Sequence, residues 1–63
     1  MELKASTSLF CQRPGEEQKE YQVTILYDDE KDKNTPITEL FRKYAEDNQL
    51  GHLNGIGFLD FST

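Results

Sequence analysis

The sequence predicts an α+β fold: a single-layer three-stranded sheet in ββαβ order with one amphipathic helix packed on one face. Three observations carry the prediction. Two stretches on either side of Pro14-Gly15 alternate apolar and polar residues with period two, TPITELFRKYAEDNQLG (35–51) repeats its apolar residues with helical period, and a short apolar stretch, GIGFLDF, follows. At 63 residues the chain reads as a single domain, 1–63, close to the size at which one core only just supports folding. Seven aromatic residues distinguish it from a disordered chain.

In the first stretch Leu3, Ala5, Thr7, Leu9 and Cys11 form one weakly apolar face, which predicts a strand over about 3–11. Pro14-Gly15 then signals a turn. In EYQVTILYDD, Tyr21, Val23, Ile25 and Tyr27 share a face, and β-branched and aromatic residues dominate, so 20–28 is the strongest strand. The two strands should form an antiparallel hairpin. Facing residues must lie on one side of the sheet, so Leu9 should oppose Tyr21 and Thr7 should oppose Val23, which requires a connection of odd length, three or five residues.

The charged run DDEKDKN leads to the helix, expected over about 36–49. Ile37, Leu40, Phe41, Tyr44 and Ala45 form its apolar stripe. Thr35 is the expected cap, Pro36 suits the first helical position, and Gly51 is the expected left-handed stop. Glu39 stands four residues before Lys43, a pair worth about 0.2 to 0.5 kcal/mol, so the stripe outweighs the charges. The last strand is expected over 56–61, parallel to the second strand and beside the first.

Twelve acidic against seven basic residues give a net charge of −5, which opposes attraction to phosphate backbones and anionic lipid. Nucleic acid is therefore a disfavoured partner. No apolar run is long enough to span a bilayer, and Glu2 and Lys4 after Met1 do not resemble a secretion leader, so a cytoplasmic protein is expected. One cysteine, Cys11, cannot build an internal disulfide and fits a reducing compartment. With one histidine it cannot furnish a structural zinc site either.

Four constellations of residues bear on chemistry. Asp28, Glu30, Asp32, Asn34 and Glu39 match positions 1, 3, 5, 7 and 12 of a calcium loop, but Lys33 stands where the sharp turn needs glycine and Pro36 occupies the ninth position. Cys11 and His52 could form a nucleophile and base only if the fold joined them, and each has a plainer place on a strand and in a loop. Asp60 is the one acid in an apolar run, and it reads as a solvent-facing residue at a strand end. Gly55 and Gly57 lack the following helix that a phosphate loop uses. The chain therefore reads as non-enzymatic, with no cofactor and no metal.

A single helix covers one face of a three-stranded sheet, so the other face should carry Phe10 and Leu26 together with either Ile56 and Phe58 or Leu59 and Phe61. The expected function is a small acidic protein–protein interaction module that binds a protein partner, or itself as a homodimer, through that open face or a strand edge. Phe10, Leu26 and Phe61 are the expected contacts, with Asp28, Asp29, Glu30 and Asp32 steering a basic partner. The alternative is an inhibitor of the phage or mobile-element type that mimics nucleic acid with Glu16, Glu17, Glu20 and the loop acids.

Overall fold

The computed structural model describes residues 2–63. In chain order they form β1 (Glu2–Gln12), β2 (Lys19–Asp28), α1 (Ile37–Asp47), β3 (His52–Ile56) and β4 (Asp60–Ser62). The architecture is α+β, one helix on an antiparallel sheet of four strands, not the three expected. β1 is central, with β2 along one side and β3 followed by β4 along the other. Since β2 and β3 are both antiparallel to β1, they run parallel to each other across it, as the crossover rule anticipates.

The β1–β2 register is the expected one, with Leu9 opposite Tyr21 and Thr7 opposite Val23. The odd-numbered side faces inward, and Ala5, Thr7, Leu9, Cys11 and Val23 are buried. The connection is longer than three or five residues. Pairing ends at Cys11 with Lys19, leaving residues 12–18, seven in all, which keeps the odd parity. The added length closes on itself. The Glu16 N–H donates to the Arg13 carbonyl at 3.1 Å across Pro14 and Gly15, Gly15 supplies φ +77°, and Gln12 Nε2 donates to the Glu16 carbonyl at 3.0 Å.

The strand expected over 56–61 is instead two strands with a break. β3 begins at His52, and a register shift between Phe10 and Cys11 leaves Asn54 as the extra residue. Asn54 Nδ2 donates to Gln18 Oε1 at 2.9 Å, so the bulged residue is tied to the hairpin connection. The Gly57 N–H reaches the Ser8 carbonyl at 2.8 Å. Next, the buried Thr7 hydroxyl donates to the Phe58 carbonyl at 2.8 Å, drawing the chain out of the ladder before β4 resumes opposite Lys4 to Ser6.

The helix boundaries also differ from expectation. Pro36, extended at ψ 140°, is the N-cap in place of Thr35, no side chain caps the helix, and the Glu39 N–H bonds the Pro36 carbonyl at 2.9 Å. Proline brings no donor of its own, which leaves fewer N–H groups to satisfy. At the other end Gln49, at φ 55°, takes the left-handed position expected of Gly51. The Gln49 N–H bonds the Glu46 carbonyl at 3.1 Å and the Leu50 N–H bonds the Ala45 carbonyl at 2.9 Å, the paired bonds of a Schellman ending. Gly51 is needed for close approach: at φ +101° a Cβ there would lie 2.5 Å from the Gln12 carbonyl oxygen.

Phe41 and Ala45 of the stripe are fully buried with Ala5, Leu9, Cys11 and Val23, and Ile37, Tyr44, Leu50, Leu53 and Ile56 pack around them. Glu39 pairs with Arg42, one position nearer than Lys43. The helix lies nearest β3; among the inward residues of β2, Val23 is buried and Tyr21, Ile25 and Tyr27 are partly buried.

Candidate functional site

The structure does not bring Phe10, Leu26 and Phe61 together. Phe10 and Leu26 share the outer side, six positions apart along the ladder, roughly 20 Å at strand spacing. The space between them is polar: Gln22 Nε2 donates to Ser8 Oγ at 2.6 Å, and the Ser6 and Thr24 hydroxyls share a bond at 2.9 Å. Phe10 is half-buried because its ring lies over the two glycines. A Cβ on Gly55 would be 4.0 Å from Phe10 Cδ2 and one on Gly57 3.8 Å from Phe10 Cε2, so the glycines make room for the ring and the ring covers bare backbone. Leu26 is 62% exposed.

Phe61 lies opposite Ala5 and therefore on the helix side, its ring 6.2 Å from that of Tyr27. Ile56, opposite Leu9, also turns inward. Phe58 is 99% exposed, but it sits in the break between β3 and β4. The expected apolar patch on the outer face is thus divided among two faces and the break between β3 and β4.

The loop acids are divided too. Asp28 Oδ1 accepts the N–H groups of Glu30 at 2.8 Å and Lys31 at 3.0 Å, while Asp32 Oδ2 accepts the Asp28 N–H at 3.0 Å. These two backbone donors hold the Asp28 carboxyl below the usual carboxylate range. Asp28 and Asp32 therefore build the turn that returns the chain to the helix, whereas Asp29 and Glu30 are exposed.

Cys11 and His52 lie on opposite sides of the sheet. Cys11 faces inward opposite Leu53, and His52 stands opposite Gln12 on the outer side. Burial pushes the Cys11 thiol up, partly offset by the Arg13 charge, which is the reverse of what a nucleophile needs. A cleft of about 350 Å3 between α1 and β3 is lined by Arg42, Ala45, Glu46, Gly51, His52 and Leu53, none of which supplies a hydroxyl or thiol. Among the described residues no three His, Cys, Asp or Glu side chains gather as a metal site would require, and no helix is long and apolar enough to cross a membrane.

The remaining candidate is the outer edge of β2. In an antiparallel strand the N–H and C=O of one residue point to one neighbour and those of the next residue to the other. The bond from Gly57 shows that Ser8 points toward β3. Odd residues of β1 then point toward β2, and across the unbroken register Tyr21, Val23, Ile25 and Tyr27 point back. Glu20, Gln22, Thr24, Leu26 and Asp28 must point away from the sheet. Asp28 bears this out, because its N–H and C=O are both taken by Asp32, at 3.0 and 2.8 Å. The other four residues present one N–H and one C=O each, with no strand beyond them among the described residues.

From the sequence, Glu20 was expected only as one acid of a nucleic-acid mimic, and Gln22 and Thr24 were not expected as contacts. A usable signal was there: ten residues of β2 alternate without a glycine, a proline or a bulge. The other edge of the sheet is short, bulged at Asn54 and broken at 57–59. Compared with protein-family models, with curated proteins and with solved structures, the chain matches none.

Proposed function

We propose that the protein is a non-enzymatic interaction module that binds a protein partner by strand addition at the outer edge of β2. The observation that carries this reading is the uncapped run of backbone donors and acceptors at Glu20, Gln22, Thr24 and Leu26, beside an inward face that α1 leaves partly open. Edge strands in soluble proteins are normally shortened, bulged, interrupted by proline or covered, because an open one templates another chain. Charge, another such device, stands only at the ends of β2, at Lys19, Glu20 and Asp28, and from Tyr21 to Tyr27 the strand carries none of them. The open sheet face is the weaker surface, since its centre is a ladder of Ser, Thr and Gln side chains that bond one another.

Mimicry of nucleic acid has less support. Asp28 and Asp32 are committed to their own turn, and Glu16 lies 3.4 Å from Lys19 and 3.9 Å from Arg13.

Thr24→Pro tests the reading. The Thr24 N–H points outward, so proline removes a donor that the β1–β2 ladder does not use, and edge positions of this kind tolerate proline. The variant should keep its far-UV circular dichroism and lose association, whereas Phe10→Ser with Leu26→Ser on the outer face should leave association intact. Association that survives Thr24→Pro in a folded protein would refute strand addition at this edge.

A further inference from the structure

We infer that the partner fitted by the β2 edge is a second copy of this chain, paired antiparallel about a two-fold axis at Val23; this rests on the edge-binding reading. The free groups belong to Glu20, Gln22, Thr24 and Leu26, which are spaced evenly about Val23. Centring the axis there sets Glu20 against Leu26 of the second copy and Gln22 against its Thr24, then the same two pairs in reverse. That makes four hydrogen-bonding positions with two bonds each, eight bonds between the chains, and every free group on both edges is satisfied. The number lies within the range of specific protein interfaces.

Other registers do worse. An axis at Thr24 would set Glu20 against Asp28, opposing two acids and facing backbone groups that Asp32 already occupies. A shift by one residue that turned the second copy over would place Tyr21, Val23 and Ile25 against the polar outer side. With the axis at Val23 no like charges oppose each other directly. Both helices then lie on the same side of a continuous sheet.

The side chains agree with this register. On the helix side Val23 meets its own counterpart and Tyr21 meets Ile25, a β-branched pair and an aromatic–β-branched pair. Tyr21, Ile25 and Tyr27 pack against the core but are only partly buried. The two half-covered rows would meet and close one apolar strip between the helices. A two-fold interface of this kind is self-complementary, each edge serving as template and partner.

The experiment is light scattering on a sizing column over a hundredfold concentration range, applied to the wild type, to Thr24→Pro and to two charge variants. One carries Gln22→Lys with Thr24→Lys, the other Gln22→Glu with Thr24→Glu. In the inferred register positions 22 and 24 face each other, so each charge variant alone sets like charges in two cross-strand pairs and its dimer should weaken roughly tenfold. Mixed together, the two should recover a heterodimer, detected by native mass spectrometry from their mass difference. The wild type should pass from monomer to dimer, and folded Thr24→Pro should stay monomeric.

A wild type that remains monomeric throughout overturns self-pairing, while loss of a heterologous partner in Thr24→Pro would leave the edge reading standing. A dimer that Thr24→Pro does not weaken overturns both. A dimer whose charge variants show no preference for mixing overturns the register. If Thr24→Pro does not fold, the charge variants alone decide the matter.

Discussion

Gly51→Ala should be the most damaging methyl group that can be added to this chain, and its cost can be worked from geometry. Two effects combine. Gly51 sits at φ +101°, where an L side chain is strained by about 1 to 2 kcal/mol. The new Cβ would also lie 2.5 Å from the Gln12 carbonyl oxygen, 2.6 Å from its carbon and 2.7 Å from the Arg13 nitrogen, all backbone atoms at the end of β1. No side chain can swing away, so the helix-to-β3 connection must lift off β1. That movement strains the Gln12–His52 pairing and the bond from Arg13 Nε to the Gln49 carbonyl at 2.8 Å. Together these suggest a loss of about 3 kcal/mol or more, against a total stability for this length of roughly 3 to 9 kcal/mol.

Gly15→Ala is the internal control. Its φ is +77°, yet nothing lies within 4 Å of the added Cβ, so only conformational strain applies, and a stiffer unfolded chain offsets some of it. A net loss of about 1 kcal/mol or less is expected. Urea titration followed by circular dichroism reads both, with a slope of about 1 kcal/mol per molar for so small a chain. The Gly51 variant should lose most of its transition, and the Gly15 variant should shift by less than about 1 M. Equal shifts in the two variants would show that the approach of residue 51 to β1 constrains nothing.

Three further outcomes can be checked. Burial raises the Cys11 thiol above its ordinary value of 9.0, so the unfolded chain ionises first; stability should fall as pH rises past about 9, and Cys11→Ala should lack that slope in urea midpoints compared across pH 8 to 11. Asp28 has the opposite sign. Its carboxyl is held below 3.8, so its contribution is present above that value and lost as pH falls through the lower folded value, and Asp28→Asn should flatten the acid limb of urea midpoints between pH 2 and 5. Phe10→Ala should destabilise by about 1.5 to 2.5 kcal/mol, half the cost of deleting a fully buried ring, because it uncovers Gly55 and Gly57, whereas Leu26→Ser should change little; equal effects would remove the covering role.

The parts of the fold legible in the sequence were those governed by periodicity. Alternation in β1 and β2 carried the inward face and the register, because a slip of one residue would have turned Leu9 and Val23 to water. The helical stripe carried Phe41 and Ala45. Boundaries set by backbone geometry were not legible. Gln49 took the left-handed position because the next turn had to bring residue 51 against Gln12, and that demand on glycine arises from a contact made across the fold. The stretch 56–61 read as one strand because it is apolar but for Asp60, while its break follows from the Thr7 hydroxyl, a residue fifty-one positions away, taking the Phe58 carbonyl.

The candidate site was hidden for a related reason. Side-chain pattern reports which face of a strand is inward, but it carries nothing about which neighbour the backbone of a given residue addresses. Expecting contacts at Phe10, Leu26 and Phe61 assumed that an uncovered apolar residue marks an interface. Phe10 proved to be the cover for two glycines, and Phe61 packs with Tyr27 on the inward side. What the fold leaves unsatisfied is backbone. One bond, from Gly57 to Ser8, fixes the direction of every residue in β1 and, through an unbroken register, of every residue in β2.

The two edges of the sheet are then unlike in a way that bears on function. On the β3–β4 side, Asn54 is pulled aside by Gln18, Gly57 ends the first ladder, Phe58 is held out by Thr7, and the helix lies nearby, so no long run of free groups remains. On the β2 side the only interruption is Asp28, where Asp32 caps the last outward N–H and C=O. That cap limits a templated strand to the four positions from Glu20 to Leu26. Net charge sets how readily a second copy arrives. Two chains of charge −5, each about 18 Å across, repel by roughly 3 kcal/mol at 10 mM salt and about 0.6 kcal/mol at 150 mM. Self-association should therefore strengthen by roughly tenfold to a hundredfold as salt is raised over that range. A basic partner at the same edge would weaken instead, so the sign of the salt response in a light-scattering titration separates a second copy from a basic partner.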